Sequence, residues 1–409
     1  MTSYLPRLLA LALAAALVPA RPAHADRAPG RSPTTSGSGT SSRIRSVGRI
    51  SDSILQIGLV PRTSRITLRP EGRFSIVDQH TGESRSLDTR DYTLKTAADG
   101  KALLFGPFEF QGQIRLLPKT PGEVMRVGSQ KYRGNLLVKP NGDETFAVVS
   151  EMGLEEYLYG VLAAEMSPQW PMEALKAQAV VARTFALTNL GKFEDSGFDL
   201  SNDSRSQVYA DIDMQSPRVI KAVRRTRGEI LAWRGQTIET FFHSCCGGHT
   251  ADPKAAWGGS GKSAPPLRGV SDRACRPSPQ YRWTAYLSDD DIKGALQKRG
   301  YLFTRLRSLR PGRRDRSGFL RTVRVTLDRE NVAIQASDFR RWLGNMDIKS
   351  TKIDRIARKR KGYVFAGRGF GHGAGLCQWG AYFMALDGKN YRKILSHYFP
   401  GAKILQRDD

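Results

Sequence analysis

The most informative stretch of this sequence is EYLYGVLAAEMSPQWP, at residues 156–171. Its first part has the apolar content of a helix, and the acid Glu165 closes it, just before Met166, Pro168 and Trp170. Apolar surroundings disfavour a carboxylate, so they can hold a glutamate protonated near neutral pH. A protonated carboxylic acid is the group that delivers a proton to the leaving oxygen of a glycosidic bond. The residues alone leave a second interpretation open, in which Glu165 is a surface side chain at a helix end.

A second helix is predicted directly behind this stretch, over residues 172–190. Pro171 suits the start of a helix, and no proline or glycine interrupts the apolar stripe that follows. Lys176 and Arg183 are seven residues apart, so they share one helix face. That face is either an ordinary solvated one or a basic wall beside Glu165 that binds carbonyl or carboxylate groups.

Residues 1–25 are predicted to form a secretory signal peptide, and residues 26–43 a flexible linker. Arg7 precedes an apolar run, and AHA at 23–25 has the small residues of a cleavage site. Cleavage near Ala25 predicts a secreted, periplasmic or cell-wall associated protein. The formal charge of +25 falls by the two arginines removed, 25 − 2 = +23. An exported protein of this charge is drawn to anionic cell-wall polymers or a membrane surface, and nucleic acid is not expected as a partner.

The fold class expected from the chain is α+β, with a β-rich N-terminal part and a helical catalytic segment packed with antiparallel strands. Short alternating runs with turn signals predict a β-rich domain over 44–135. Residues 136–400 are predicted to form the catalytic domain. A basic insertion around 285–360 includes six arginines between Arg305 and Arg316. Because strands come first and mixed elements follow, a doubly wound sheet is not expected.

Two polar or glycine-rich segments further along supply more candidates. Gln207 and Tyr209 would share one face of a strand, where they either bind the N-acetyl and hydroxyl groups of a sugar or form an ordinary polar face. Residues 367–380 are dense in glycine but lack the Gly-Lys-Ser/Thr of a phosphate loop. This segment predicts a tight turn, and His372 is either brought to a cleft by that turn or is a structural histidine.

Four segments in this order resemble the stage II sporulation protein D / amidase-enhancer family. They are residues 156–184, SQVY at 206–209, FHSCCGGHT at 242–250 and GFGHGAGLCQWGA at 369–381. The resemblance extends over roughly residues 130–400. It implies a peptidoglycan lytic transglycosylase, in which the C6 hydroxyl of muramic acid attacks the anomeric carbon and leaves a 1,6-anhydro end.

The resemblance also implies roles for single residues. Glu165 becomes the general acid/base. The implied substrate-binding residues are Lys176, Arg183, Gln207, Tyr209, His243, Ser244, His372 and Gln378. The implied partner is the glycan strand of peptidoglycan, and no cofactor is required. Because the family includes proteins that enhance an amidase, a non-catalytic wall-binding modifier of an N-acetylmuramoyl-L-alanine amidase is the alternative. An exported polyanion-binding module without chemistry is a third hypothesis.

The cysteines Cys245, Cys246, Cys275 and Cys377 leave three states open. Export permits disulfides, and Cys275 is the expected partner of Cys245 or Cys246. Zinc is a weaker alternative because the spacing matches no standard zinc finger. Its ligands would come from His243, Cys245, Cys246, His249 and Cys275. Free thiols are the third state. The resemblance places the zinc ligands of some relatives just before the Gln-Val-Tyr segment, where residues 201–206 include no cysteine or histidine.

Overall fold

The computed structural model describes residues 53–97, 100, 102–203, 205–209, 212–259, 261 and 263–407. The predicted signal peptide at 1–25 and linker at 26–43 lie outside these residues, so both stay predictions. Of the helices within the described ranges, none is long and apolar enough to cross a membrane.

Strands dominate the N-terminal part and form two sheets. In chain order they are β1 (Ile54–Thr63), β2 (Arg65–Pro70), β3 (Phe74–Asp78), β4 (Ser84–Leu87), β5 (Tyr92–Thr96), β6 (Ala102–Phe105), β7 (Phe108–Gln111), β8 (Ile114–Pro118), β9 (Val124–Val127), β10 (Gln130–Arg133), β11 (Asn135–Pro140), β12 (Phe146–Gly153) and the short β13 (Leu200–Ser201). One sheet has the order β13-β1-β12-β11-β8-β3-β4 and the other β10-β9-β2-β5-β6-β7. Alternation explains the strands, since Phe74 and Ile76 of β3 are buried while Ser75 between them is less so.

The helices of the motif region pack on this β-rich part. Helix α1 (Leu154–Glu165) continues directly from β12, and α2 (Met172–Thr188) begins after Pro171. Helix α3 (Pro217–Arg224) follows, with the hydroxyl of Ser216 accepting a hydrogen bond from the Val219 amide as its N-cap. Apolar side chains of α1 and α2 belong to the same core as those of both sheets. Helix α1 is therefore fixed in position by the apolar core that it shares with both sheets.

A further group of strands and helices packs on the side of α2 that faces away from the two N-terminal sheets. The strands are β14 (Glu229–Trp233), β15 (Gln236–Thr237), β16 (Phe242–His243), β23 (Leu376–Cys377) and β24 (Lys403–Gln406). The helices are α4 (Pro253–Ala256), α7 (Gln378–Leu386) and α8 (Tyr391–Tyr398). A second core joins Val180 and Val181 of α2 to apolar residues of β14, β23 and α8.

Residues 282–368 have a core of their own. Their elements are β17 (Arg282–Ser288), α5 (Asp289–Gln297), β18 (Leu306–Pro311), β19 (Thr322–Leu327), β20 (Glu330–Gln335), α6 (Ala336–Leu343), β21 (Ile353–Lys359) and β22 (Gly362–Arg368). They form the antiparallel sheets β17-β22-β21 and β18-β19-β20. The third apolar core runs from Trp283 to Phe365. The six arginines between Arg305 and Arg316 are all exposed.

The fold is α+β with a β-rich N-terminal part, so the predicted fold class is confirmed. Pairing is mostly antiparallel, and among the strands named above the parallel pairs are the short contacts of β13 with β1 and of β16 with β23. Strands β11 and β12 lie beyond the predicted boundary at residue 135, in the same sheet as β1. The domain boundaries themselves stay predictions.

Candidate active site

Glu165 is the last residue of α1 and is half-buried where the helix ends. The chain turns to extended backbone at Met166, whose amide still donates to the Leu162 carbonyl. The carboxylate is held at the end of a helix that is buried along most of its length, and Val161 and Leu162 beside it are fully buried. The position of Glu165 is therefore set by the core of the molecule.

Two groups from distant segments reach Glu165. The Val208 amide donates to Glu165 Oε1 at 3.4 Å. The Gln378 side-chain Nε2 donates to the main-chain oxygen of Glu165 at 3.3 Å. Burial raises the pKa of Glu165 to about 7, and the hydrogen bonds of Val208 and Gln378 oppose this rise. Near neutral pH this glutamate can therefore both give up and take back a proton.

Close packing against α1 explains why the Val208 amide reaches Glu165. The Tyr209 ring lies against Gly160, where an added Cβ would stand 2.3 Å from a ring carbon. The ring also stacks between those of Tyr132 and Tyr157, with centroids 6.0 Å and 5.7 Å away. A glycine at position 160 is therefore required for the segment around Val208 to approach the helix.

The same packing changes the interpretation of Gln207 and Tyr209. Residues 207–209 do not form a strand, so the predicted polar strand face is absent from this described segment. Gln207 and Tyr209 are only 1% and 4% exposed. Gln207 Nε2 donates weakly to Tyr157 Oη and the Ala182 carbonyl, at 3.5 and 3.4 Å. Both side chains therefore shape the wall behind Glu165 and offer little surface to a sugar.

His243 and Ser244 lie next to the glycine-rich segment, which the structure brings to Glu165 through Gln378. Strands β16 and β23 pair in parallel, with His243 opposite Cys377. The Trp379 amide donates to the Ser244 carbonyl at 3.0 Å. An added Cβ at Gly375, which has a φ of +72°, would meet the Phe241 carbonyl oxygen at 2.0 Å. The glycines thus permit the predicted tight turn and the close approach of the two segments.

The two histidines of this region are neutral at physiological pH. Burial lowers the pKa of His243 to about 4 and that of His372 to about 3. His243 Nδ1–H donates to the Ala374 carbonyl at 3.0 Å, and its buried Nε2 has no hydrogen-bond partner among the described residues. His372 packs on the half-exposed Trp257, with ring centroids 5.0 Å apart. Neither imidazole can act as a cationic acid, but both can accept or donate a hydrogen bond.

A group of aromatic rings comes from the residues that follow Glu165 and Gln378 in the sequence, and local sequence patterns did not predict that these rings meet. We call it the aromatic platform; its members are all half-buried and are Trp170, Trp379, Tyr382 and Phe383. The Trp170 ring centroid lies 4.9 Å from that of Trp379 and 5.0 Å from that of Tyr382. Aromatic faces of this kind stack against the C–H faces of sugar rings. The two tryptophans lie inside the quoted motifs and could have been selected on that basis.

The basic wall predicted from Lys176 and Arg183 does not form beside Glu165. Arg183 is fully buried, and its guanidinium makes two hydrogen bonds to the Glu155 carboxylate, at 2.7 and 2.8 Å. Lys176 pairs with Glu173 at 2.6 Å. Among the described residues, neither basic side chain bonds to Glu165. These contacts give Arg183 a structural position and do not support the predicted role in substrate binding.

The remaining carboxylates that a hydrolytic mechanism could pair with Glu165 are Glu156 and, on either side of the Gln-Val-Tyr segment, Asp199 and Asp211. Glu156 lies nine residues earlier on α1, which places it about 14 Å away along the axis and on the opposite side of the helix. Asp199 accepts hydrogen bonds from the amides of Gln56 and Gly191, so it organises a loop. Asp211 lies outside the described residues. A hydrolytic pair needs carboxylates about 5–9.5 Å apart, and Glu156 does not meet that distance.

The four cysteines are buried and carry free thiols. Cys246 Sγ lies 3.4 Å from Cys275 Sγ, so the predicted disulfide partners are neighbours, and the disulfide stays a prediction. Of the histidines considered as zinc ligands, His249 turns its Nδ1–H to the Thr250 carbonyl at 2.8 Å. The fourth cysteine, Cys377, lies with Cys246 and Cys275, which sequence spacing alone did not indicate.

Comparison with known proteins supports the resemblance. The family model described as Stage II sporulation protein matches residues 142–233, and a second model, a domain of unknown function, matches residues 268–375. An uncharacterized protein of Brachyspira hyodysenteriae is 37% identical over 276 residues, 67% of this chain and 72% of that protein. Stage II sporulation protein D of Bacillus subtilis is 29% identical over 280 residues, 64% of this chain and 76% of its own length.

A further relative carries a different name. The amidase enhancer of Bacillus subtilis is 26% identical over 348 residues, which cover 70% of this chain and 47% of the enhancer. Residues 142–233, which include Glu165, therefore form a domain of the stage II sporulation protein family, and the chain has relatives named stage II sporulation protein D and amidase enhancer.

Proposed function

We propose that this protein acts on the bacterial cell wall as an exported peptidoglycan lytic transglycosylase. The observation that supports this most is Glu165, one half-buried carboxylic acid whose pKa burial raises to about 7. Among the described residues no cationic side chain bonds to it. A single acid of this kind suits a reaction in which the substrate provides its own nucleophile.

The proposed reaction divides into two proton transfers at Glu165. The protonated carboxyl gives its proton to the oxygen that links the MurNAc and GlcNAc units, and that C–O bond breaks. The carboxylate then accepts the proton of the muramic acid C6 hydroxyl, whose oxygen bonds to the anomeric carbon. The product is a 1,6-anhydro end, and Glu165 returns to its protonated form. Positioned acid/base catalysis of this type accelerates a reaction by about 10²–10⁴-fold.

The surroundings of Glu165 provide groups for binding sugars. The aromatic platform offers faces for stacking. Gln378 joins α7 to the end of α1. We propose that the glycan strand lies along this region, and that the exposed arginines of residues 305–316 attract the protein to anionic wall polymers.

Location and partners follow as part of the same proposal. The predicted signal peptide would carry the protein across the cytoplasmic membrane. Peptidoglycan lies on the outer side of that membrane. The glycan strand is then the partner of the Glu165 region. No cofactor takes part in the two proton transfers, and nucleic acid is not proposed as a partner.

A second candidate function is favoured by the likeness to the amidase enhancer. In that case the protein would bind the wall and stimulate an N-acetylmuramoyl-L-alanine amidase without cleaving glycan. The two candidates differ in their need for Glu165, because an enhancer that only binds does not transfer a proton.

The deciding experiment is digestion of purified glycan strands, with and without peptide stems, followed by mass spectrometry of the ends. We expect 1,6-anhydro ends from the wild type and a loss of about 10²–10⁴-fold in rate for Glu165→Gln. Glu156→Gln is the matched control, because it makes the same change on the same helix about 14 Å away. Reducing ends would indicate hydrolysis. A wild type that leaves both substrates intact but accelerates an amidase would establish the second candidate.

A further inference from the structure

Four acidic groups from three distant segments meet in the core below the glycine-rich segment. They are the thiols of Cys246, Cys275 and Cys377 and the carboxylate of Asp272, all buried, and one ligand atom from each lies within 4.8 Å of the others. Cys246 Sγ lies 3.4 Å from Cys275 Sγ and 3.2 Å from Asp272 Oδ2. We call this set the thiol–carboxylate cluster.

The spacing within the cluster is close to that of a tetrahedral metal site. Zinc binds a thiolate at about 2.3 Å and a carboxylate oxygen at about 2.0–2.2 Å. Tetrahedral angles then place two sulfur ligands about 3.8 Å apart, and a sulfur and an oxygen about 3.5 Å apart. The two distances from Cys246 Sγ, 3.4 Å to Cys275 Sγ and 3.2 Å to Asp272 Oδ2, are a few tenths of an ångström shorter, and all four ligand atoms lie within 4.8 Å of one another. Ligation would therefore require only small shifts of these side chains.

The atoms of the cluster are also oriented by outer hydrogen bonds, as metal ligands are. Cys377 Sγ accepts from the amides of Cys246 and Gly380, each at 3.3 Å. The second of these amides lies in the first turn of α7, where the helix dipole favours a negative sulfur. Asp272 Oδ2 accepts from Tyr398 Oη at 2.9 Å, and Asp272 Oδ1 accepts from the Cys275 amide at 3.2 Å.

Charge gives the strongest reason to expect a cation. Asp272 is 0% exposed and shares its space with thiols. The Lys352 Nζ, which approaches the cluster at Cys246, donates to the Cys246 and His249 carbonyls at 3.4 and 3.3 Å. Within the described structure, no basic side chain makes an ion pair with Asp272. A buried carboxylate without a positive partner is costly, and a divalent ion would supply the missing charge.

We propose that Cys246, Asp272, Cys275 and Cys377 bind one thiophilic divalent metal ion, with zinc as the expected occupant. The site is structural, because four protein ligands complete a tetrahedral shell and leave no open position. It lies outside the Glu165 chemistry, and its ligand set differs from the one considered in the sequence, because Asp272 and Cys377 join Cys246 and Cys275 in place of His243, Cys245 and His249.

Such a site would hold together the segments around the paired strands β16 and β23, the second of which leads directly to Gln378. Cys246 follows His243 and Ser244 closely, and Cys377 directly precedes Gln378. A disulfide between Cys275 and Cys246 would use two of the thiols and leave Cys377 and the Asp272 carboxylate buried without a cation. The metal satisfies all four groups together, which is why we favour it over the disulfide.

The test is metal analysis of the full chain, purified without chelator or reductant and freed of loosely bound ions. We expect about one zinc per chain and four thiols that become alkylated only after denaturation in the presence of a chelator. Cobalt(II) exchanged into the wild type should give the intense absorption of cobalt–thiolate charge transfer, with the strength of three thiolates. The cobalt spectrum is measured on the wild type, so it tests the proposal even if a cysteine substitution prevents folding.

Two variants test the ligand set. Cys275→Ser should lose the metal, whereas Cys245→Ser, which alters the neighbouring thiol, should retain about one ion per chain. A folded wild type without metal, in which Cys275 is found in a disulfide, would overturn the proposal. Loss of metal from Cys245→Ser with retention in Cys246→Ser would overturn the proposed ligands. Both outcomes are independent of glycan cleavage, so the proposed function is tested separately.

Discussion

Helix α1 has a glutamate near each end, and the two have opposite environments. Glu155 is buried and bound by the fully buried Arg183, and the Gly228 amide also donates to it at 3.4 Å. No cationic side chain of the described structure pairs with Glu165, and burial raises its pKa to about 7. The first carboxylate is compensated and holds elements together. The second is uncompensated, which is the condition that lets it act as an acid near neutral pH.

The comparison shows how a cation decides the role of a buried acid. An arginine next to a carboxylate favours the charged form, while burial without one favours the protonated form. Had Arg183 lain beside Glu165, as one of the two interpretations of the helix face required, the carboxyl would have remained ionised. The structure instead separates the positive charge from the candidate catalytic acid by the length of the helix.

The largest expected effect on stability comes from removing the ion pair between Arg183 and Glu155. Arg183→Ala should lower the free energy of unfolding by about 3–5 kcal/mol, because it leaves the Glu155 carboxylate buried without its partner. Urea unfolding at neutral pH measures this change.

A double-mutant cycle with Glu155→Gln sharpens the comparison. Adding that change to Arg183→Ala should recover part of the lost stability, since the orphan charge is removed. A single variant Arg183→Ala of normal stability but impaired glycan binding would contradict the structural role and restore the role first predicted.

At Glu165, the uncompensated carboxylate, substitution is expected to stabilise the folded protein. The folded-state pKa of Glu165, about 7, exceeds its ordinary value of 4.5, so the folded protein binds the extra proton between these values. Stability from this group is therefore present below pH 4.5 and is lost as pH rises to 7. Glu165→Gln should be more stable than the wild type at pH 8, by up to about 3 kcal/mol, and nearly equal to it at pH 4.5. Thermal unfolding at both pH values checks this, and a destabilised variant at pH 8 would show that the carboxylate is compensated after all.

The smallest effect is expected at Lys176. Its ammonium pairs with Glu173 on the same helix and lies 5.2 Å from the Tyr391 ring centroid. Lys176→Ala should lower the free energy of unfolding by about 1 kcal/mol or less. It should leave glycan cleavage unchanged, because Lys176 has no bond to Glu165. A tenfold or greater loss of cleavage with normal stability would return Lys176 to the substrate-binding residues.

The sequence predicted the fold class and the order of its parts well, because alternation and helical periodicity are local signals. Helix α2 was expected over 172–190 and ends at Thr188. The site was predicted less completely. Arg183 could not be assigned, because its partner Glu155 lies 28 residues earlier and helix periodicity does not say which face is buried. Gln207 and Tyr209 were expected on a strand, but packing against Gly160 decides their position.

Local sequence patterns also could not predict that Cys377 lies close to Cys246 and Cys275. It depends on the parallel pairing of β16 with β23, which joins segments about 130 residues apart. The aromatic platform depends on a similar contact, between Trp170 and α7. The two tryptophans stand in the motifs, but their contact is a property of the tertiary fold.

The central claim is that Glu165 is the proton donor of glycan cleavage, and its pH dependence tests this most directly. The rate of release of 1,6-anhydro ends from purified glycan should be constant below pH 7 and should fall tenfold per pH unit above it, as the carboxyl loses its proton. Glu165→Gln should cleave about 10²–10⁴-fold more slowly and without that decline. A variant that cleaves at the wild-type rate with the same decline near pH 7 would contradict the claim.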